Sequence, residues 1–363
     1  MITITEKLTS PVTYDLSSYG NPEDILFFDI ETTGFSPDFC TVYLIGCVFY
    51  SDGDWYLKQF FADSITAEGE ILLHFFTMLS KYPVLIHFNG ETFDIPFIKK
   101  RADKLNIPHV TNNFESVDIY KLVKPYKNLL GLSNCKQKTI ELLLGINRED
   151  KYNGGQLIEV YKDYLVTGDE EAKRLLLLHN ADDLKGMPAL LPVLNYVKLF
   201  NGEGLIEEIG ISEESVSYGE ASKLILAITF ADISVPAPVT IEKDYYSMIL
   251  KDNTVTINLD IFTGELKYFY GDYKNYYYLP EEDMAIHKSV AEFVDKEHKK
   301  KATAKTCYTK KCGRFICGFK EAGQILFFDE YPLKQPYILI NEATLTDKNF
   351  WSQYYNLLVS NTK

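Results

Sequence analysis

Paired cysteines are missing from this chain of 363 residues. Its six cysteines, Cys40, Cys47, Cys135, Cys307, Cys312 and Cys317, include no Cys-x-x-Cys pair. The evenly spaced trio at 307, 312 and 317 lacks the usual zinc spacings. The opening MITITEKLTSP has neither a basic start nor an apolar block, so no secretory signal is expected. A reduced, cytoplasmic chain follows from these two absences. No apolar run is long enough to span a bilayer, so no membrane association is expected. Internal repeats are absent too, which excludes a solenoid or propeller. Basic residues are in deficit: 37 Lys and Arg stand against 51 Asp and Glu, a formal charge of −14. That balance argues against gripping a duplex with the whole surface. Positive charge is instead local, since residues 296–314 carry eight Lys or Arg against Glu297 alone.

What is present describes a folded protein. Apolar residues make up 46% and charged residues 24%, which excludes a mainly disordered chain. The length suggests two domains. Residues 1–200 alternate between strand-like and helix-like patterns. The runs 25–31, 41–50, 55–61 and 84–88 predict buried strands. Apolar spacing predicts helices around 71–79, over 93–105, 137–144 and 156–166, and over 169–199, the last kinked or split at Pro188 and Pro192. Such an order predicts a mixed sheet flanked by helices. Residues 201–210 read as a connector, and 201–363 as a smaller C-terminal α+β domain. In that half, helices are expected at 213–230, 283–300 and 347–359. Strands are expected near 314–319, 325–328 and 337–340, with hairpin turns at Asp252-Asn253 and Thr263-Gly264.

Three places in the first half carry chemistry. Asp29 and Glu31 close a buried strand, and strand alternation puts both on one face. Two neighbouring carboxylates repel, so they are either solvated at the strand end or share a cation. In HFNGETFDIPF (87–97), Asp94 falls in the first turn of a helix, where an acid either caps the helix or serves a site. In LLLLHNADDL (175–184), His179 and Asp183 lie four apart and share a helix face, packed against a core or lining a site.

Taken together, DIETTG, HFNGETFDIPF and HNADDL resemble the DEDD exonuclease pattern, the DnaQ-like branch of the ribonuclease H-like superfamily. SVDIYKLVK and TIELLLGINRED…NGGQLIEVYKDYL also resemble the YprB-like group of exonucleases. The resemblance covers residues 23–198. It implies a ribonuclease H-like mixed sheet flanked by helices, and Asp29, Glu31, Asp94 and Asp183 holding two Mg²⁺ or Mn²⁺ ions. All-oxygen ligands suit those ions and not zinc. It also implies that His179 orients the attacking water or takes its proton, a task suited to imidazole. His179 stands at the spacing where that family usually carries tyrosine; its histidine members place the ring one residue earlier. By the same resemblance Thr32 would meet the terminal nucleotide and Asn89 its sugar or phosphate. Phe35 and Phe93 are either a wedge against the last base or rim aromatics. Asp118 is either a support for the site or a turn acid.

The activity implied is metal-dependent 3′–5′ exonuclease cleavage of nucleic acid, DNA or RNA, at a single-stranded 3′ end. The alternatives are a non-catalytic nucleic-acid-binding or scaffold protein on the same fold, or a structure-specific endonuclease. The basic segment 296–314 interleaves Tyr308 with lysines, and a Tyr-rich run precedes it at 268–278. Lysines with aromatics suit a single strand; half-buried strands are the favoured reading of the tyrosines, and a solvated helix end is the alternative for the lysines.

Overall fold

The computed structural model describes residues 1–9, 12–109, 114–146, 154–214, 223–320 and 323–362. The chain divides into two compact units, Met1–Val197 and Lys198–Lys363.

The first unit is built on a six-stranded sheet. Its strands are β1 (Ile2–Lys7), β2 (Ile25–Thr32), β3 (Val42–Ser51), β4 (Asp54–Phe61), β5 (Val84–His87) and β6 (Glu115–Asp118), in the order β1-β4-β3-β2-β5-β6. β3 runs antiparallel to both β2 and β4, whereas β2, β5 and β6 are mutually parallel. The expected mixed sheet is therefore present, and its arrangement is ribonuclease H-like. ILFF in β2 and VYLIGCV in β3 are buried on both faces because helices cover the sheet. Those helices are α1 (Glu68–Leu79), α2 (Asp94–Leu105), α3 (Ile119–Val123), α4 (Gln137–Leu143), α5 (Gly154–Thr167) and α6 (Glu170–Leu190). α7 (Leu194–Phe200) follows a short 3-10 turn at Leu191–Val193, so the predicted helix 169–199 is split just after Pro188. The part of the YprB-like stretch at 147–153 lies outside the described residues.

β1 and β6 were not expected. β1 pairs along β4 and forms the sheet edge. β6 is four residues long and extends the parallel half beside β5.

The second unit is β-rich. One sheet has the order β7-β8-β11-β10-β9, from β7 (Ile206–Glu214), β8 (Lys223–Phe230), β9 (Val235–Lys243), β10 (Tyr246–Asp252) and β11 (Thr254–Asp260). A second contains β12 (Phe262–Phe269), β16 (Tyr308–Cys317), β17 (Leu326–Phe327) and β18 (Tyr337–Ile340). A third small sheet joins β13 (Tyr276–Leu279), β14 (Met284–His287) and β15 (Lys300–Lys301). α8 (Lys288–Ala291) and α9 (Glu342–Thr346) are short, and α10 (Lys348–Thr362) buries Trp351, Tyr354, Tyr355 and Leu358.

Several expectations for this half are corrected. The helix expected over 213–230 is instead strand β8 at 223–230, with the end of β7 at 214; residues 215–222 lie outside the described set. The helix expected over 283–300 is strand β14, one helical turn and the short strand β15. The connector ends before Ile206, where β7 begins. Thr263-Gly264 lies inside β12 and is not a hairpin turn. Asp252-Asn253 does turn β10 into β11, with Asp252 at φ 52°. The C-terminal helix is present as α10.

Candidate active site

Strand β2 carries the first two acids to the end of the parallel pairing. Asp29 pairs across the sheet with Gly46, and Glu31 with Leu44, so both carboxylates leave the same face. β5 pairs with β2 only over Ile25–Phe27. Beyond that point the outer edge of β2 is free to meet a side chain. The Asp94 carboxylate takes that place: it accepts hydrogen bonds from the Ile30 amide and from its own amide at the start of α2.

The loop that delivers Asp94 is pinned from below. His87 ends β5, and its Nδ1 accepts the Gly90 N–H at 3.1 Å. Its Nε2 lies 2.8 Å from the Ser116 hydroxyl. A Cβ on Gly90 would lie 2.7 Å from Nδ1, so glycine is needed for this close approach. The Asp118 carboxylate at the end of β6 accepts the Asn89 amide at 2.8 Å and the Glu91 amide at 3.3 Å. Asn89 adopts φ 65°, a left-handed conformation that asparagine tolerates. Asp118 thus supports the turn before Asp94 while also capping α3 through the Lys121 amide. Ser116, His87 and Asp118 mimic a hydrolytic triad in composition only. Nδ1 is an acceptor, so the imidazole proton sits on Nε2, the wrong tautomer for a general base toward serine. Burial lowers the His87 pKa, with Asp118 and Glu91 opposing, and keeps the ring neutral.

Helix α6 brings the remaining groups. His179 Nε2 lies 3.6 Å from Glu31 Oε1 and 3.5 Å from Asp183 Oδ2. Glu31, His179 and Asp183 each place a ligand atom within 4.8 Å of the others. The imidazole is buried between the two acids.

The acids destabilise one another. Burial is the main force raising the Asp29 pKa well above the carboxylate range, followed by the charges of Asp94, Asp183 and Glu31. A hydrogen bond from Asn180 works the other way. Burial pushes Asp94 up to about 7, against its two amide hydrogen bonds and with added repulsion from Asp118 and Asp183. Four converging acids and one imidazole, with burial first and mutual repulsion second raising the pKa of Asp29 and Asp94, fit hard divalent cations. Asp29, Glu31, Asp94 and Asp183 are the side chains that would hold them, and His179 lies within ligand reach of two of these.

The other expected contacts take plainer places. The Thr32 hydroxyl donates to the Gly34 carbonyl at 2.8 Å and shapes the turn leaving β2. The Asn89 side chain accepts from the Thr92 hydroxyl at 2.8 Å, which closes its own turn. Phe35 is 87% exposed and meets Phe93 edge-on, with ring centroids 6.2 Å apart. Phe93 is partly buried and packs on toward Phe97.

Sequence reasoning missed Gln59, Asn180 and Tyr43. The Gln59 amide donates to Asn180 Oδ1 and to the Leu177 carbonyl, both at 2.9 Å, and Asn180 Nδ2 donates to Asp29 Oδ2 at 3.0 Å. The available signal was in β4, where Gln59 interrupts the inward series Leu57, Gln59, Phe61. Tyr43 is fully buried and stacks on Tyr161 at 4.2 Å. Its hydroxyl makes no hydrogen bond among the described residues. Burial and the charges of Glu31 and Asp29 raise its pKa.

Residues 26–195 match the family model described as RNase_H superfamily. DNA polymerase 1 of Sulfurisphaera ohwakuensis is 29% identical over 123 residues, 25% of this chain and 14% of the polymerase. An uncharacterized protein of Methanocaldococcus jannaschii is 29% identical over 181 residues, 46% of this chain and 92% of that protein. Among solved structures, the family B DNA polymerase of the archaeon Pyrobaculum calidifontis gives a TM-score of 0.42 at 15% identity, covering 70% of this chain and 35% of the polymerase. An exonuclease I structure gives 0.33 at 11% identity, covering 57% of this chain and 55% of that one. The chain therefore spans a minor part of the polymerases it matches.

Proposed function

We propose that the protein is a metal-dependent 3′–5′ exonuclease of the DEDD type, acting on nucleic acid with a single-stranded 3′ end. The observation that carries this reading is the meeting of Asp29, Glu31, Asp94 and Asp183, from β2, α2 and α6, in one self-repelling group beside His179. Mg²⁺ or Mn²⁺ bound there would acidify a water for attack on the phosphodiester and offset charge on the departing oxygen. The chain's own residues supply the rest. The four acids would hold the cations, and together they would leave little net charge to repel a phosphate. His179, between Glu31 and Asp183, orients the attacking water and accepts its proton at Nε2. Phe35 offers an exposed ring for the terminal base, steadied by Phe93.

The division of labour proposed is a nuclease domain over 1–200 and a nucleic-acid-binding accessory domain over 201–363. In the latter, Tyr277 pairs with Lys301 across the small sheet, and the Lys299 ammonium lies 5.5 Å from the Tyr277 ring. Among the described residues no helix is long and apolar enough to cross a membrane.

The test uses a 5′-labelled single strand, DNA or RNA, with Mn²⁺ and either the wild-type protein or Asp29→Ala. A ladder that shortens from the 3′ end, absent with the variant, is expected. Internal cuts would instead assign an endonuclease. Binding without cleavage by either protein would assign a non-catalytic nucleic-acid-binding role.

A further inference from the structure

Asp29, Gly46 and Gln59 stand in one row across β2, β3 and β4, because Asp29 pairs with Gly46 and Gly46 with Gln59. Cross-strand partners point to the same face, so this row faces α6. Its middle position has no side chain. Into that gap α6 inserts Asn180, which is completely buried. A Cβ at position 46 would lie 2.1 Å from Asn180 Oδ1 and 2.1 Å from Leu184 Cδ1, so neither α6 side chain leaves room for one.

The hydrogen bonds along the row have one possible direction. Gln59 Nε2 meets two acceptors, the Leu177 carbonyl and Asn180 Oδ1, and an amide nitrogen has two hydrogens to give them. Asn180 must then turn its oxygen to Gln59 and its nitrogen to Asp29. That nitrogen donates to Oδ2 of the carboxylate. Reversing either amide would face oxygen against oxygen. Buried amides whose donors are held on fixed acceptors are rigid, and rigidity is what a carboxylate needs to offer a fixed atom to a ligand.

We propose that Asn180 is the positioning residue for Asp29, and that Gln59 keeps Asn180 in the donating orientation through the slot at Gly46. The Asn180 amide on Oδ2 of Asp29 fixes the carboxylate rotamer in which Asp29 would meet a divalent cation. Because Asn180 sits between His179 and Asp183 on the same helix, the contact also sets the register of α6 against β2. This inference rests on the proposed cation site.

The test measures Mn²⁺ affinity of the full chain by titration calorimetry, without substrate, and checks folding by thermal unfolding. Asn180→Leu fills the slot but removes the donor, and should weaken Mn²⁺ binding by about 10- to 100-fold while the protein still folds. Gln59→Leu should give a smaller loss. In the double variant the affinity should match that of Asn180→Leu alone, because Gln59 acts only through Asn180. A merely structural role would add the two effects to stability and leave Mn²⁺ affinity unmoved. Asp29→Asn separates the two levels of failure. Wild-type Mn²⁺ affinity in Asp29→Asn would overturn the cation site itself. Lost binding in Asp29→Asn with affinity in Asn180→Leu within twofold of wild type would overturn the positioning role alone. Should Asn180→Leu fail to fold, Gln59→Leu decides: unchanged Mn²⁺ affinity in that variant overturns the proposal.

Discussion

A carboxyl group buried among other carboxyls keeps its proton to a higher pH than the same group in an unfolded chain. Asp94, pushed up to about 7 by burial, is such a group, and Asp29 is displaced in the same direction. The sign of the linkage follows. Between the unfolded carboxyl value near 4 and the folded value, the native state binds more protons, so stability falls as pH rises. The contribution is complete below about pH 4 and gone above the folded value, a swing on the order of 4 kcal/mol. Metal-stripped protein should therefore melt at a lower temperature at pH 8 than at pH 5.5. Asp94→Asn should flatten that dependence, and Mn²⁺ at pH 8 should restore the lost stability by binding only the folded state. Calorimetric scans in EDTA and in Mn²⁺ check all three; a melting temperature that rises from pH 5.5 to 8 in EDTA contradicts the assignment.

Tyr43 supports a second expectation at this scale. Its hydroxyl is buried without a hydrogen bond among the described residues, beneath two acids that repel its ionised form. A buried unsatisfied hydroxyl costs on the order of 1–3 kcal/mol, which Tyr43→Phe removes while keeping the ring stacked on Tyr161. The variant should raise the urea midpoint of the metal-free protein. A lowered midpoint would mean that the hydroxyl has a partner in solution.

Between elements, the loop leaving β2 is held by a buried ion pair. Arg101 on α2 makes two hydrogen bonds to Glu68 on α1, at 2.7 and 2.5 Å, and a third to the Pro37 carbonyl at 3.1 Å. Glu68 also accepts the Val42 amide at 2.9 Å, where β3 begins. Removing one member leaves the other buried and uncompensated, at a cost of about 3–5 kcal/mol. Arg101→Met and Glu68→Gln should each lower stability on that scale, with the double variant less than additive in a denaturation series. Additivity would show that the two side chains act separately. No sequence pattern announced this pair, since the residues are far apart in the chain and each falls in an ordinary helical position.

The same distinction explains what was legible. β2, α2 and α6 combine apolar patterning with acids, so the elements that carry Asp29, Glu31, Asp94, His179 and Asp183 stood out. β8 did not. KLILAITF is nearly all apolar, so its period of two, with Leu224, Leu226, Ile228 and Phe230 buried, is hidden in the run. MAIH at 284–287 sits in a helix-favouring context, yet becomes a strand because it pairs with Tyr276–Leu279. β1 depends on the exposed edge of β4, which local sequence does not show. Asn180 and Gln59 were hidden because their meaning lies in a gap on a third strand.

At the scale of the whole molecule, a chain of net charge −14 that binds a polyanion must do so through local charge. The basic segment is less free than its composition suggests. Lys310 pairs with Asp283 and Glu265, and Arg314 with Glu213. Lys300 and Lys301 remain exposed on the small sheet, beside Tyr277 and the Lys299 that overlies it. Tyr276 and Tyr278 face the opposite way, into a cluster with Ala285, Ala302 and Cys307. On the small sheet, the candidate strand contact is Tyr277 with the exposed Lys300 and Lys301 and with Lys299, whose ammonium also donates to the Ala291 carbonyl. Each phosphate neutralised on a single strand contributes about 0.7 to the slope of log affinity against log salt. Replacing Lys299, Lys300 and Lys301 together by glutamine should reduce that slope by about 2, and Tyr277→Ala should weaken binding by about 1–3 kcal/mol with little change in slope. Fluorescence anisotropy with a labelled single strand over a salt series, in Ca²⁺ to hold cleavage in check, reads both quantities. Cleavage of a dinucleotide should be unaffected by all four substitutions if these side chains serve strand binding and not the chemical step. A slope that survives the triple substitution would remove this sheet from strand binding.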